Sequence, residues 1–131
     1  MTWSTLQPPG ARPPAGAYSP AIRAGDFIFI SGQVPVDVVS GQLIGRDVVT
    51  QTNTVLDRIE NLLRAGGASL ADVVSITAYL SDIANWEAFN DVYRERFQAP
   101  YPTRTTVGAQ LRGFLVEISA VAYVGKAGGK E

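Results

Sequence analysis

The fold class is decided by residues 47–80, DVVTQTNTVLDRIENLLRAGGASLADVVSITAYL. The hydrophobic period of this stretch changes halfway along it. Asp47 can cap a helix, whose apolar residues would recur about every 3.6 positions until Gly66-Gly67 stops it. From Asp72 to Leu80 the residues alternate with period two, which predicts a strand. The helix would bury Val48, Thr52, Val55, Ile59 and Leu62. The strand would place Val74, Ile76, Ala78 and Leu80 on one face and Val73, Ser75, Thr77 and Tyr79 on the other.

Upstream of this stretch, the sequence predicts two strands joined by a tight turn. β-branched and aromatic residues in Ala17–Arg23 and Phe27–Ser31 flank the turn pair Gly25-Asp26. Gly41 marks a further turn, and Leu43-Ile44 would add a short strand after it.

Downstream, the sequence predicts a second helix and two more strands. Asp82 or Asn85 can cap the helix, and the prolines at positions 100 and 102 prevent its continuation. The strands would be Arg104–Val107 and Phe114–Val124. The helix carries an aromatic stripe, for which the pattern favours core packing over a ligand surface. The stripe consists of Trp86, Phe89, Tyr93 and Phe97.

The element order β-β-(β)-α-β-α-β-β predicts an α+β domain with two helices packed on one face of a mixed sheet. We expect a single domain over residues 1–131, with a Pro-rich surface lead-in at 1–16 and a flexible tail at 125–131. The other sheet face would carry Leu115 and Val121, which are too apolar to remain in water. Self-association is the simplest way to cover that face.

The composition excludes several kinds of chemistry. The chain has no cysteine and no histidine, which removes disulfides, thiolate nucleophiles, imidazole bases and the common zinc sites. Eleven Lys and Arg against 12 Asp and Glu give a net charge of -1, so nucleic acid is a poor candidate partner. We find no signal peptide and no apolar run of the ~20 residues that span a bilayer. We therefore expect a cytoplasmic protein that does not bind membranes.

Glu117 is the one charged residue in the last predicted strand. A carboxylate in the middle of a strand needs a cation or several hydrogen-bond donors nearby. It could form an interface salt bridge with Arg104 or Arg112, or it could act as a general base, and periodicity leaves both open. Arg104 could bind a substrate carboxylate through two parallel hydrogen bonds or remain solvated. The uniformly apolar face of the same strand would carry Phe114, Val116, Ile118, Ala120, Ala122 and Val124.

Four segments form a specific combination: GAYSPA at 16–21, DFIFISGQVP at 26–35, PTRTTV at 102–107 and VEI at 116–118. Together they closely resemble the RidA/YjgF family of reactive-intermediate deaminases. The resemblance also includes the helix Gln51–Gly67 and Asn90, and so it covers nearly the whole chain. Any one segment alone would be a weak signal.

The resemblance implies a chorismate-mutase-like α+β fold and a homotrimer whose sheets form a central barrel, with active sites in the clefts between subunits. It implies that Arg104 binds the substrate carboxylate, that Glu117 positions the attacking water and that Tyr18 lines the site. We expect Tyr18 to hold the water together with Glu117. The backbone N–H groups at positions 32 and 106 would be available as donors. We expect the substrate-binding positions to be Ser31, Gly32, Phe89, Asn90 and Thr106.

The chain departs from the family pattern at two places. Thr106 stands where archetypal members carry cysteine, so no thiol can contribute. The segment Gly108–Gly113 is slightly shorter than the usual link and lacks its frequent Leu-Pro turn. The entry to the site is therefore expected to differ.

The implied activity is hydrolysis of 2-imino or enamine acids, of the 2-iminopropanoate and 2-aminoacrylate type, to 2-keto acids and ammonia. Such imines hydrolyse unaided, so positioning with acid/base help of about 10²–10⁴-fold suffices and no cofactor is needed. One alternative is a non-catalytic family member that binds metabolites or acts as a holdase chaperone. Another is an RNA-cleaving protein, which the near-neutral charge and absent histidine disfavour.

Overall fold

The computed structural model describes residues 2–125 and contains one six-stranded sheet and two α-helices. In chain order its elements are β1 (Trp3–Leu6), β2 (Ala21–Ala24), β3 (Phe27–Gln33), α1 (Val48–Ala65), β4 (Val73–Leu80), α2 (Trp86–Arg96), β5 (Thr103–Gly108) and β6 (Val116–Tyr123). The strand order is β1-β2-β3-β6-β4-β5, in which only β4 and β5 run parallel to each other. Single 3₁₀ turns precede β4 and α2.

Helix α1 begins and ends where the sequence predicts. Asp47 accepts a hydrogen bond from the backbone N–H of Thr50 at 2.8 Å, and Gly66 follows the last helical residue. The side chains of its inner stripe are fully buried, and each stabilises the fold by about 1.5–3 kcal/mol. They are Val55, Leu56, Ile59 and Leu63. Neither of the two described α-helices is long and apolar enough to cross a membrane.

Helix α1 packs on β3 and β6 and against α2, so both helices cover the same sheet face. The apolar alternation predicted for the last strand is confirmed from Val116 to Ala122, where every second side chain of β6 is buried under the helices. These side chains are Val116, Ile118, Ala120 and Ala122. The alternation is wrong for Phe114, which precedes β6 and lines the same cavity as Glu117. The prediction of an α+β fold with a mixed sheet is therefore confirmed.

The prediction for β4 is wrong at its start. The alternation predicts that Val74 shares a face with Ile76, but Ile76 is buried while 42% of Val74 is exposed, and Val73 is only 6% exposed. The pairing of β4 with β6 shifts register between Val73 and Ser75, which inserts one extra residue and reverses the alternation. From Ile76 onward the strand is buried as predicted.

The N-terminal lead-in contains a strand that the sequence analysis did not predict. Strand β1 pairs antiparallel with β2, from Trp3 opposite Ala24 to Leu6 opposite Ala21. The predicted strand Ala17–Arg23 starts only at Ala21, since Pro20 has no N–H to pair. The predicted strand Leu43-Ile44 is reduced to one isolated bridge with Val36. Positions 126–131 of the predicted tail lie outside the described residues.

The sheet face opposite the helices is apolar and open in the single chain. Phe27, Phe29 and Tyr123 lie side by side on β3 and β6, and each is more than a third exposed. The ring centroids of Phe27 and Tyr123 are 5.3 Å apart. A contiguous aromatic patch of this kind is typical of a protein interface. The predicted homotrimer stays a prediction.

Candidate active site

Strand register places Arg104 and Glu117 on opposite faces of the sheet. Ala78 of β4 pairs with Thr106 of β5 and with Ile118 of β6, so these three side chains share the helix-covered face. Arg104 is two residues from Thr106 and points the same way. Glu117 is next to Ile118 and therefore points to the opposite face. Within one chain the two side chains accordingly line different cavities.

The guanidinium of Arg104 lies among aromatic rings of helix α2. Its central carbon is 4.5 Å from the ring centroid of Tyr93 and 5.5 Å from the centroids of Trp86 and Phe89. Ion pairs within residues 2–125 involve Arg94 and Arg96 but not Arg104. Beside the guanidinium is a cavity of about 230 Å³, which is lined by Asn90, Tyr93, Arg94, Tyr101, Pro102 and Arg104.

The aromatic stripe of α2 therefore has two roles. Its members Phe89, Tyr93 and Phe97 are buried core residues, as the sequence predicts, but the same prediction is wrong for Trp86, which is 37% exposed at the start of α2. Tyr93 also faces Arg104, and its hydroxyl is buried without a hydrogen-bond partner among the described residues. The pKa of Tyr93 is raised to about 12, because the effect of burial exceeds the opposing effect of the nearby Arg104 charge. Tyr93 is thus a neutral phenol at physiological pH.

Glu117 lies in a larger cavity of about 630 Å³ with Tyr18, Ser31 and Gly32. Neither Arg104 nor Arg112 forms an ion pair with Glu117, and within residues 2–125 its carboxylate has no hydrogen bond. The salt-bridge alternative is therefore not observed within one chain. Burial raises the pKa of Glu117 above the ordinary 4.5, because the charged carboxylate is partly withdrawn from water.

The loop that faces Glu117 is a bulge in β3. The pairing of β3 with β6 shifts between Ile30 and Gln33, and a Cβ at Gly32 would overlap the Oε2 atom of Glu117. Only glycine allows the carboxylate to lie this close to the backbone.

Side-chain hydrogen bonds fix this bulge on both sides. The Ser31 hydroxyl donates to the carbonyl of Ser19 at 2.7 Å, which ties the segment carrying Tyr18 to β3. The Gln33 amide donates to the carbonyl of Ser31 at 2.9 Å, and Nε of Arg58 donates to Oε1 of Gln33 at 3.0 Å. The bulge is therefore braced against helix α1.

The predicted site residues divide into two groups in the single chain. Tyr18, Ser31 and Gly32 line the Glu117 cavity, and Asn90 lines the Arg104 cavity. Thr106 lies on the same face as Arg104, and its hydroxyl is buried without a partner among the described residues. Phe89 has no exposed surface. Residues 2–125 contain no group of three or more His, Cys, Asp or Glu side chains that could hold a metal ion.

Sequence reasoning missed three residues beside the predicted ones: Trp86 and Tyr93 around Arg104, and Arg58 beneath the bulge. The helical spacing of Trp86 and Tyr93 was visible as an aromatic stripe, but nothing in the sequence linked it to Arg104. Arg58 gave no signal, because a single arginine on a helix is usually solvated.

Comparisons with known proteins agree on a relationship that covers most of the chain. The model of the family described as Endoribonuclease L-PSP matches residues 9–124. A RutC family protein of Pyrococcus horikoshii is 42% identical over 112 residues, which are 84% of this chain and 89% of that protein. The 2-iminobutanoate/2-iminopropanoate deaminase of Capra hircus is 40% identical over 124 residues, which are 93% and 88% of the two chains.

Solved structures share the fold. The crystal structure of TdcF from E. coli with bound serine matches with a TM-score of 0.84 and 29% identity, over 92% of this chain and 98% of that one.

Proposed function

Because the chain belongs to the Endoribonuclease L-PSP family, which is the RidA/YjgF family that its sequence resembles, we propose that it hydrolyses 2-imino and enamine acids to 2-keto acids and ammonia. The goat relative is named for this activity. The TdcF structure was solved with serine, a small molecule whose carboxylate resembles that of the proposed substrates. Arg104, whose charge is not paired with a carboxylate within residues 2–125, suits such a ligand.

The observation that carries the proposal is the placement of Arg104 and Glu117 on opposite faces of the sheet. A site that needs both residues has to take one from each of two chains. The exposed aromatic patch on β3 and β6 supplies a surface on which further copies would pack. We therefore propose a homotrimer with sites between neighbouring subunits.

In the proposed reaction, Arg104 binds the carboxylate of the imino acid, and Glu117 and Tyr18 hold a water molecule near the imine carbon. Glu117 accepts a proton from this water as the oxygen attacks, and the C=N double bond becomes a single bond. Glu117 then returns the proton to the nitrogen of the carbinolamine. The carbinolamine hydroxyl then passes its proton, by way of Glu117, to the nitrogen. The C=O bond forms as the C–N bond breaks, and the keto acid and ammonia leave. An enamine substrate first tautomerises to the imine.

The remaining predicted positions support these steps in different ways. The backbone N–H at Gly32 is a donor for the ligand, and Ser31 holds the bulge through its bond to Ser19. Asn90 and the backbone N–H of Thr106 contact the ligand on the Arg104 side. Phe89 is fully buried, so we assign it to supporting Arg104 from beneath rather than to touching the substrate.

The test is an assay that generates 2-iminopropanoate with an amino-acid oxidase and follows the release of ammonia and keto acid. We expect the protein to accelerate hydrolysis above the uncatalysed rate. The reaction needs the carboxylate form of Glu117. The value of kcat/KM should therefore be maximal at higher pH and should fall as the pH drops through the raised pKa of Glu117. Glu117→Gln should remove this acidic limb together with most of the rate. An acidic limb that persists in Glu117→Gln would refute the assigned role, and no acceleration by the wild type would refute the function.

Gly32→Ala should lower kcat/KM by about a hundredfold, because the added methyl group displaces the Glu117 carboxylate from the bulge. The fold should survive, since only the end of one side chain has to move. Gly108→Ala is the control, because it also adds a methyl group to a strand glycine but causes no overlap. The nearest atom to the added Cβ would be the Cβ of Ile83, at a distance of 3.8 Å. Thermal unfolding should report similar Tm values for both variants. Full activity of Gly32→Ala would show that the close approach of Glu117 is unimportant.

The holdase alternative rests on the same aromatic patch, which could bind unfolded chains if it were free. An aggregation-suppression assay beside the ammonia assay separates the two functions. A holdase would be insensitive to changes at Arg104 and Glu117. RNA cleavage, which the family description names, is measured on the same samples.

A further inference from the structure

Arg104 is partly buried, and its guanidinium packs against aromatic ring faces, although a charged side chain withdrawn from water usually has a partner of opposite charge. Its guanidinium contacts three rings within 5.5 Å, and none of the ion pairs within residues 2–125 includes it. We call the rings of Trp86, Phe89 and Tyr93 the aromatic clamp. The clamp lies on one side of α2, because its members are three and four residues apart.

Two rings of the aromatic clamp are buried, and the third is partly exposed to solvent. Phe89 has no exposed surface, and Tyr93 is 4% exposed and stacks on Phe97 with centroids 4.5 Å apart. Trp86 is the first residue of α2 and is 37% exposed. Trp86 therefore forms the outer wall of the clamp, against solvent.

An aromatic partner and a carboxylate partner differ in whether the N–H groups of the guanidinium remain free to bind a ligand. A carboxylate partner would neutralise the guanidinium and occupy its N–H groups. A ring attracts the cation through its quadrupole and packs on the flat face, so the N–H groups at the edge remain available. The adjoining cavity, lined by Asn90, Tyr101 and Pro102, lies beside Arg104.

We infer that Trp86 is a positioning residue that closes the aromatic clamp on Arg104 and thereby sets the affinity of the site for carboxylates. This role is additional to the proposed function, because Trp86 touches no reacting atom. The inference rests on that function only for the identity of the substrate.

The kinetic test separates KM from kcat. The substrate carboxylate does not react, so weaker binding to Arg104 affects the ground state and the transition state alike. Trp86→Leu should therefore raise KM about 3- to 30-fold with little change in kcat. Trp86→Phe keeps an aromatic ring and should have a KM close to that of the wild type. Ile83→Ala, which removes an exposed apolar side chain from the preceding turn, is the matched control. A lower kcat at constant KM, or equal defects in Trp86→Leu and Trp86→Phe, would overturn the inference.

A spectroscopic test needs no catalysis. The chain has two tryptophans, so Trp3→Phe leaves Trp86 as the one fluorescent indole. Titration with pyruvate should change its emission in a saturable way, and Arg104→Ala should abolish this change. If pyruvate gives the change but imines are not hydrolysed, the proposed function fails and the clamp stands. If imines are hydrolysed but the emission of Trp86 does not respond, the clamp is refuted.

Discussion

Arg104→Ala is expected to reduce the protein-dependent hydrolysis of 2-aminoacrylate by about 10²–10⁴-fold, which is essentially all of the acceleration. Without the guanidinium, nothing on the Arg104 side fixes the substrate carboxylate, and the imine carbon no longer stays near the water. The loss should appear in the coupled ammonia assay, while the circular dichroism spectrum and the oligomeric state remain those of the wild type.

Arg94→Ala is the matched control, because Arg94 lines the same cavity but pairs with Asp91 at 3.2 Å and is largely exposed. It removes the same charge and should leave most of the rate. Arg104→Lys should resemble Arg104→Ala, since a lysine ammonium can neither stack between rings nor bind a carboxylate with two parallel bonds. Unchanged hydrolysis by Arg104→Ala would contradict the assignment of the site.

Mixing two inactive variants is expected to restore activity. Arg104→Ala and Glu117→Gln each remove one residue, and the strand register predicts that a working site takes these residues from different chains. In oligomers assembled at random from equal amounts, about a quarter of the sites combine an intact Arg104 with an intact Glu117. The ammonia assay on co-refolded or co-expressed chains should therefore recover roughly a quarter of the wild-type rate.

The control for mixing is the double variant Arg104→Ala/Glu117→Gln, which should restore nothing when combined with either single variant. Chains that carry different affinity tags show whether mixed oligomers have formed. If mixed oligomers form and activity stays absent, the two residues work within one chain, and the proposed site between subunits is wrong.

Local signals in the sequence were sufficient for much of the fold. Asp47 and Gly66 mark the two ends of a helix whose apolar stripe repeats without interruption. The residues of β6 alternate so regularly that Glu117 is recognisable as a charge that needs a partner. Both features depend on residues close together in the chain, so no knowledge of the rest of the structure was needed.

The failures concern contacts between distant segments. Val73 and Val74 are both β-branched and apolar, so nothing local reveals which one the register shift leaves exposed. The four residues of β1 become a strand only by pairing with β2. Whether Arg104 and Glu117 share a face depends on the register of β4 with both β5 and β6. Periodicity within one strand cannot supply that relation.

The opposite placement of Arg104 and Glu117 also has a genetic consequence. If each chain serves two sites, a subunit that is defective at both positions silences the site on either side of it, or roughly two thirds of a trimer. Such an allele would lower the activity of an intact copy expressed in the same cell, because only about a quarter of the sites in randomly assembled oligomers would take both residues from intact chains. An allele defective at only one position would instead be partly rescued by an allele defective at the other.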